Sequence, residues 1–156
     1  MGERSGVLRR AIGEFKFYHK RTTYKDLADM MCDVLPELPS ETIIVYVPTA
    51  GSHIRERGFD HVRLLAEHVA KRRGIKTSNI IKRVASTTQR NADRATRKRQ
   101  AKRAFAVDGR LSPNVPYLLI DDVVTTGSTL LYSARALRSA GAGNIWVAAL
   151  AYQALD

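Results

Sequence analysis

The sequence is poor in two features that define large classes of protein, cysteine and long apolar runs. Cys32 is the only cysteine, so the chain can form neither an internal disulfide nor a cysteine-based zinc site. No apolar stretch approaches the roughly 20 residues that a membrane-spanning helix needs. The first residues, MGERSGVLRRAIGEFKF, contain charges throughout and lack the apolar centre of a signal peptide. These absences predict a cytoplasmic protein without membrane insertion.

Acidic residues are few compared with basic ones. The 15 Asp and Glu face 26 Lys and Arg, which gives a net charge of +11 at pH 7. Such an excess points to phosphate-rich partners such as nucleotides, nucleic acid or anionic lipid. The alternative is a basic surface that only keeps the protein soluble.

Length and composition predict one domain over residues 1–156. The chain is long enough to bury a core, and hydrophobic residues make up an ordinary 44%. Neither an internal repeat nor a Pro- or Ser-rich linker divides it. We expect a helical N-terminal part over residues 1–38 and an α/β core over residues 42–156.

Apolar spacing predicts alternating helices and strands. Helical spacing is found in VLRRAIGEFKF, YKDLADMMCDVL, HVRLLAEHVAKRRG and STLLYSARALRSAGAG. Strands are predicted for ETIIVYVP, IIKRV, YLLI and NIWVAALAY. This order indicates βαβ units and an α/β fold, with a mostly parallel sheet flanked by helices. Ligands of such folds bind at the carboxyl ends of the strands.

Several side chains are expected to have ordinary structural roles. We expect the run from Met30 to Cys32 to belong to the core, and Trp146 and Tyr152 likewise. The histidines show no metal-ligand spacing and are expected to have ordinary surface roles; they are His19, His53, His61 and His68.

The stretch LLIDDVVTTGSTL, residues 118–130, combines three features that bear on function. Asp121 and Asp122 follow an apolar strand, and the small polar residues from Thr125 to Thr129 lead into a helix. Backbone N–H groups and hydroxyls at a helix N-terminus bind phosphate. Neighbouring carboxylates suit vicinal hydroxyls or a divalent cation. Together these features describe a site for a ribose 5-phosphate.

The same stretch resembles the phosphoribosyl pyrophosphate (PRPP) signature of type I phosphoribosyltransferases. IRERGFDHVRLLAEHVAKRRG is similar to the RERGFNQ segment of the ComF family, phosphoribosyltransferase-like proteins linked to bacterial DNA uptake. TTQRNADRATRKRQAKRAF and VLRRAIGEFKF also resemble that family's segments, so the similarity extends over nearly the whole chain.

The chain departs from the family pattern at several positions. Asp60 and His61 stand where the family usually has Asn and Gln, and Ala92 and Gln100 replace a usual Leu and Asn. The family's N-terminal zinc-binding cysteine module is missing, so we expect no zinc.

The resemblance implies a PRPP site at both strand ends. Asp121 and Asp122 would bind the ribose hydroxyls and act in catalysis. The 5-phosphate would bind to the loop formed by Thr125, Thr126, Gly127, Ser128 and Thr129. The pyrophosphate would bind to the loop after the first long strand, formed by Thr49, Ala50, Gly51 and Ser52, with Arg55 and Arg57 nearby.

Phosphoribosyl transfer implies Mg²⁺ as cofactor. We expect the ion to be bound mainly through the substrate, with Asp121 and Asp122 as possible protein ligands. The transition state of such a transfer resembles an oxocarbenium ion, so positioning and electrostatics would supply most of the catalysis. Some members of the fold have an acidic general base where this chain has Thr125.

A basic segment, residues 82–103, contains nine Lys or Arg and one acid, Asp93. The resemblance implies that it forms a hood over the site. Single-stranded DNA or RNA is an alternative partner, with contacts to the backbone. The candidate residues within it are Arg90, Arg94, Arg97, Lys98, Arg99, Lys102 and Arg103.

Two classes of function therefore remain open. The first is Mg²⁺-dependent transfer of phosphoribosyl to a nucleobase or related amine, in DNA uptake, natural competence or nucleotide salvage. The second is a non-catalytic competence factor that binds single-stranded nucleic acid, or a regulator that senses PRPP. A homodimer or partners in the competence machinery are compatible with either, since fold does not decide function.

Overall fold

The structure is a computed structural model that describes residues 2–3, 13, 23–84 and 104–153. The elements follow in this order: β1 (Gly2–Glu3), α1 (Thr23–Val34), β2 (Ile43–Tyr46), α2 (Gly51–Arg57), α3 (His61–Arg73), β3 (Lys76–Ser78), β4 (Ile81–Arg83), β5 (Phe105–Val107), β6 (Pro116–Val124), α4 (Ser128–Ser139) and β7 (Asn144–Tyr152). The helix predicted over residues 7–17 lies outside the described residues except for Gly13.

The main sheet has the order β1-β7-β6-β2-β3, and all its pairs are parallel. The predicted α/β fold is therefore confirmed. β6 lies between β2 and β7, with Tyr46 of β2 opposite Ile120. The ladder between β2 and β6 ends soon afterwards: Val47 donates its N–H to the carbonyl of Ile120 at 2.9 Å, and the following Pro48 has no N–H to donate.

Helices cover both faces of this sheet. On one face, α1 and α3 bury Leu27, Leu65 and Val69 against residues of β2 and β6. On the other face, α4 buries Leu130 and Leu137. The apolar residues of β2 and β6 face both helical layers, as expected of central parallel strands.

Residue chemistry sets the limits of α3. The carboxylate of Asp60 accepts a hydrogen bond from the N–H of Arg63 at 3.2 Å and so caps the first turn. Gly74 ends the helix with φ of 64°, in the left-handed region that favours glycine. The N-cap places His61 at the first helical position, beside the end of β6.

Two elements lie apart from the predicted pattern. β4 was predicted as a strand, but it pairs antiparallel with β5 in a separate two-stranded sheet rather than in the main one. The main sheet is instead extended by β3, a short strand with two exposed residues and no apolar pattern. The first two residues of the basic segment, Lys82 and Arg83, therefore belong to the second sheet.

Some expectations for the core are wrong. Met31 and Cys32 are buried as predicted, whereas Met30 is 54% exposed. Trp146 and Tyr152 were predicted as core residues but are exposed. Trp146 lies in the part of β7 that pairs only with β6 among the described strands, because β1 reaches only Ala151 and Tyr152.

Candidate functional site

The acid pair lies inside the carboxyl-terminal half of β6, which continues to Val124. Asp121 and Asp122 are both buried. Asp121 Oδ1 accepts the N–H of Asp122 at 2.9 Å, and Asp122 Oδ1 accepts the N–H of Val123 at 2.6 Å. Such contacts are needed because a buried carboxylate is costly without hydrogen bonds. The pair thus belongs to an inner strand of the sheet, close to its carboxyl end.

His61 makes a direct side-chain contact with the acid pair. Its Nε2 lies 2.8 Å from Asp122 Oδ2, and its Nδ1 lies 3.2 Å from Nη1 of Arg57. All three side chains are buried. The expectation of an ordinary surface role is therefore wrong for His61. Its position after an N-capping Asp, beside strand ends, was the signal that could have revealed it.

The loop after β2 contributes the second wall of the site. Thr49 and Ala50 line the cavity, whereas Gly51 and Ser52 are the first residues of α2 and are exposed. Thr49 Oγ1 donates to Asp60 Oδ1 at 2.8 Å. The hydroxyl of Thr49 therefore donates within the protein. Toward a ligand, Thr49 can offer the lone pairs of this hydroxyl and its backbone groups.

The loop after β6 spans Thr125 to Gly127, and α4 begins at Ser128. Gly127 has φ of 72°, and as N-cap residue it offers no side chain to the first turn of α4. Thr126 Oγ1 instead accepts the N–H of Ser128 at 3.4 Å and donates to Ser128 Oγ at 3.0 Å. Thr129 lines the cavity beside the acid pair. This is the chemistry of an anion site at a helix N-terminus.

These elements enclose a cavity of about 340 Å³ between the ends of β2 and β6. Its walls include the acid pair and four groups that are cationic or can become so: His53, Arg57, His61 and Arg83. Arg55, in contrast, is not one of its lining residues. The cavity therefore combines carboxylates with basic side chains, which suits a ligand with hydroxyls and phosphates.

Arg83 was not singled out from the sequence. It lies at the end of β4, its Nε donates to the carbonyl of Pro48 at 3.4 Å, and its guanidinium lies 5.0 Å from the ring centre of Phe105. These contacts fix a cation at the cavity wall. The sequence did not single out Arg83, because it is one of nine basic residues in the segment 82–103. The candidates from Arg90 to Arg103 lie outside the described residues.

A larger cavity of about 490 Å³ lies elsewhere, between α1 and α3. Tyr24, Leu64 and His68 form part of its wall, and it includes neither a strand end nor the acid pair. His68 itself is engaged there, with Nε2 at 3.0 Å from Asp29 Oδ1. The chemistry expected from the sequence therefore belongs to the smaller cavity.

The described residues also bear on metal binding and membrane insertion. No group of three or more His, Cys, Asp or Glu within them is arranged to hold a metal ion. In the same part of the chain, none of the helices combines the length and apolar character required to cross a bilayer.

Comparison with known proteins adds sequence relatives. No family model matches the chain. It is 37% identical to Competence protein F of Haemophilus influenzae over 111 residues, which cover 67% of this chain and 48% of the relative. The chain spans about half the length of the curated relatives that it matches.

The solved structures of similar fold include a PRPP amidotransferase and a phosphoribosyltransferase. The glutamine PRPP amidotransferase of B. subtilis, in complex with ADP and GMP, has a TM-score of 0.57 at 14% identity, over 88% of this chain and 30% of the other. Orotate phosphoribosyltransferase from Aeropyrum pernix has a TM-score of 0.52 at 16% identity, over 95% of this chain and 78% of the other. The fold is that of the type I phosphoribosyltransferases.

Proposed function

Since the chain belongs to the ComF family and has the type I phosphoribosyltransferase fold, we propose that it binds PRPP between the ends of β2 and β6 and acts in bacterial DNA uptake. The observation on which this proposal rests is the cavity of about 340 Å³, which brings Asp121 and Asp122 together with the start of α4 and the loop after β2. The name of the relative from H. influenzae supports the link with competence.

Each part of PRPP has a matching group in this cavity, in the loop between β6 and α4, or in the first turn of α4, where Thr129 lines the cavity. The ribose hydroxyls would donate to the carboxylates of Asp121 and Asp122. The 5-phosphate would accept from the N–H groups and hydroxyls between Thr125 and Thr129, where the helix dipole favours negative charge. The pyrophosphate would lie at the loop that contains Thr49 and Ala50, and the guanidinium of Arg83 at the cavity wall would balance part of its charge.

The residues present also fit Mg²⁺. Carboxylate oxygens are ligands that Mg²⁺ prefers, and it commonly binds through one or two carboxylates together with substrate phosphates. Asp121 and Asp122 are the side chains that would hold it. When bound, Mg²⁺ neutralises negative charge on the pyrophosphate leaving group.

Transfer of the phosphoribosyl group is the reaction that such a site would support. The C1–O bond to pyrophosphate breaks and the pyrophosphate takes the electron pair, while a C1–N bond forms to an acceptor that then releases a proton. The buried carboxylates would stabilise the positive charge that develops on the ribose. Thr125 cannot serve as a general base, so the acceptor must lose its proton to another group or to water.

Calorimetric titration with PRPP and MgCl₂ tests this proposal. We expect Asp121→Asn combined with Asp122→Asn to weaken PRPP binding at least about tenfold, because hydrogen bonds to charged groups contribute roughly 1.5–3 kcal/mol each. Asp108→Asn is the matched control, since Asp108 is an exposed acid outside the cavity. Unchanged affinity in the double variant would contradict the assignment of the acid pair.

A second function is favoured by the net charge of +11, namely binding of single-stranded nucleic acid by a non-catalytic protein. A screen of purine and pyrimidine bases for pyrophosphate release separates the alternatives. Release with one base identifies a transferase. PRPP binding without release from any base favours a protein that senses PRPP, and absence of both favours the nucleic-acid-binding protein.

A further inference from the structure

The two hydrogen bonds of His61 define its tautomer. The guanidinium of Arg57 has N–H donors and no acceptor, so the Nδ1 atom 3.2 Å from it must accept. The proton of the neutral ring then lies on Nε2, which donates to Asp122 Oδ2 at 2.8 Å. Donation thus runs in one direction, from Arg57 through the ring of His61 to Asp122.

We propose that His61 is a positioning residue for Asp122, and that it acts by donating its Nε2–H to that carboxylate. This inference rests on the proposed function, because it concerns the carboxylates that would bind ribose. Both ring nitrogens are engaged by protein groups, Nδ1 by Arg57 and Nε2 by Asp122. Its role is to hold Asp122 in one orientation before a ligand arrives.

The hydrogen bonds of Asp122 explain why this orientation matters. Oδ1 accepts from the N–H of Val123 and Oδ2 accepts from His61, so both oxygens are held from the protein side. A carboxylate has about four acceptor sites, so these two hydrogen bonds alone do not saturate it. Holding the group in advance lowers the conformational cost of binding.

The turn between α2 and α3 places His61 in the required position. Arg57 ends α2, and Gly58 follows with φ of 77°, in the left-handed region. Asp60 then caps α3 and also accepts from the hydroxyl of Thr49. The turn therefore contacts the loop after β2 through Asp60 and the carboxyl-terminal half of β6 through His61.

Two substitutions at His61 distinguish the effect of its hydrogen bonds from the effect of a side chain that only fills the same space. In His61→Gln, the amide oxygen can accept from Arg57 and the amide nitrogen can donate to Asp122, which reproduces the pattern of the Nε2–H ring. In His61→Leu, neither contact can form. Thermal unfolding of both variants establishes that they are folded before binding is compared.

The first measurement needs no ligand. Long-range ¹H–¹⁵N correlation spectra at pH 7, with the His61 signals assigned by their loss in His61→Gln, should show a protonated Nε2 and an unprotonated Nδ1. The amide hydrogen of Val123 should exchange about tenfold faster in His61→Leu, the equivalent of about 1.4 kcal/mol, and within about threefold of the parent rate in His61→Gln. A proton on Nδ1, or unchanged exchange in His61→Leu, would overturn the proposal.

The second measurement is PRPP titration with MgCl₂. We expect His61→Leu to weaken binding at least about tenfold and His61→Gln to remain within about threefold of the parent. Equal losses in the two variants would show that the donor and acceptor pattern is irrelevant and would overturn the proposal. If the parent protein itself does not bind PRPP, the proposed function is wrong, and the spectra and exchange rates alone decide the positioning role.

Discussion

Thr49 and Asp60 are joined by a hydrogen bond of 2.8 Å between the threonine hydroxyl and the carboxylate, across a separation of 11 residues. The same carboxylate oxygen caps α3 by accepting from Arg63. One acid therefore connects the loop after β2 with the helix that begins at His61. This connection gives the first prediction.

Thr49→Val should lower the free energy of unfolding by about 1 kcal/mol, the usual net contribution of one hydrogen bond. Val has nearly the shape of Thr, so the change removes the hydroxyl without a large change in packing. Thr49→Ser is the control, because it keeps the donor. Urea denaturation of the three proteins measures the difference, and equal stability of Thr49→Val and the parent would mean that the bond contributes nothing.

Gly127→Ala should destabilise the protein by about 1–2 kcal/mol, because its φ of 72° is unfavourable for residues with a Cβ. An added Cβ would meet Val124 Cγ1 at 3.9 Å, an ordinary contact, so the cost comes from the backbone. Gly51→Ala is the matched control, since it lies at the first helical position of α2 without a positive φ. Denaturation should leave this control within about 0.5 kcal/mol of the parent, and an equal loss in both variants would contradict the backbone argument.

The thiol of Cys32 should react slowly at neutral and mildly alkaline pH. Burial raises its pKa, with Arg73 opposing the shift, so the folded state disfavours the thiolate that reacts with alkylating agents. The resulting stability is fully present below the pKa of the unfolded thiol and is lost as pH rises through the higher folded pKa. Rates of iodoacetamide labelling for folded and urea-unfolded protein, compared from pH 7 to 10, measure this effect, and equal rates would refute it.

Binding of single-stranded DNA, if the basic segment performs it, should depend strongly on salt. Each phosphate that the protein neutralises on a single strand contributes about 0.7 to the slope of log affinity against log salt. Replacement of Arg97, Lys98 and Arg99 by Ala should therefore make this slope shallower by up to about two units. Fluorescence anisotropy with a labelled oligonucleotide measures the slope.

The control for that experiment removes the same charge elsewhere, by replacing the exposed residues Lys25, Lys71 and Lys76 with Ala. This triple variant should keep a slope close to that of the parent. If both triple variants change the slope equally, the whole basic surface binds the strand and the segment has no special role.

Periodicity predicted the elements of the main fold because they are long enough to show it. NIWVAALAY was predicted as a strand with the bounds that β7 has, and Gly74 ends α3 as its place in the sequence indicated. β3 and β5 were missed, since three residues are too few to show a period. Strand order is set by packing, which explains why Trp146 of β7 was wrongly assigned to the core.

In the candidate site too, the sequence revealed residues that are neighbours in the chain and missed those that only packing brings together. The acid pair and the loop at Gly127 are contiguous in sequence, so one short stretch revealed both. His61 is separated by 61 residues from Asp122, and the bond between them depends on how α3 packs beside β6. Arg83 meets Pro48 across 35 residues in the same way. No local pattern distinguished Arg83 from other arginines, and the one local signal for His61 was its position after an N-capping Asp.

The pairing of β4 with β5 has a consequence for how the protein can be altered. The N–H of Val84 donates to the carbonyl of Ala104 at 2.9 Å, and the same pairing sets Arg83 opposite Phe105. Arg83 lines the strand-end cavity, so a substitution that separates these two strands would also displace a cation from the cavity wall.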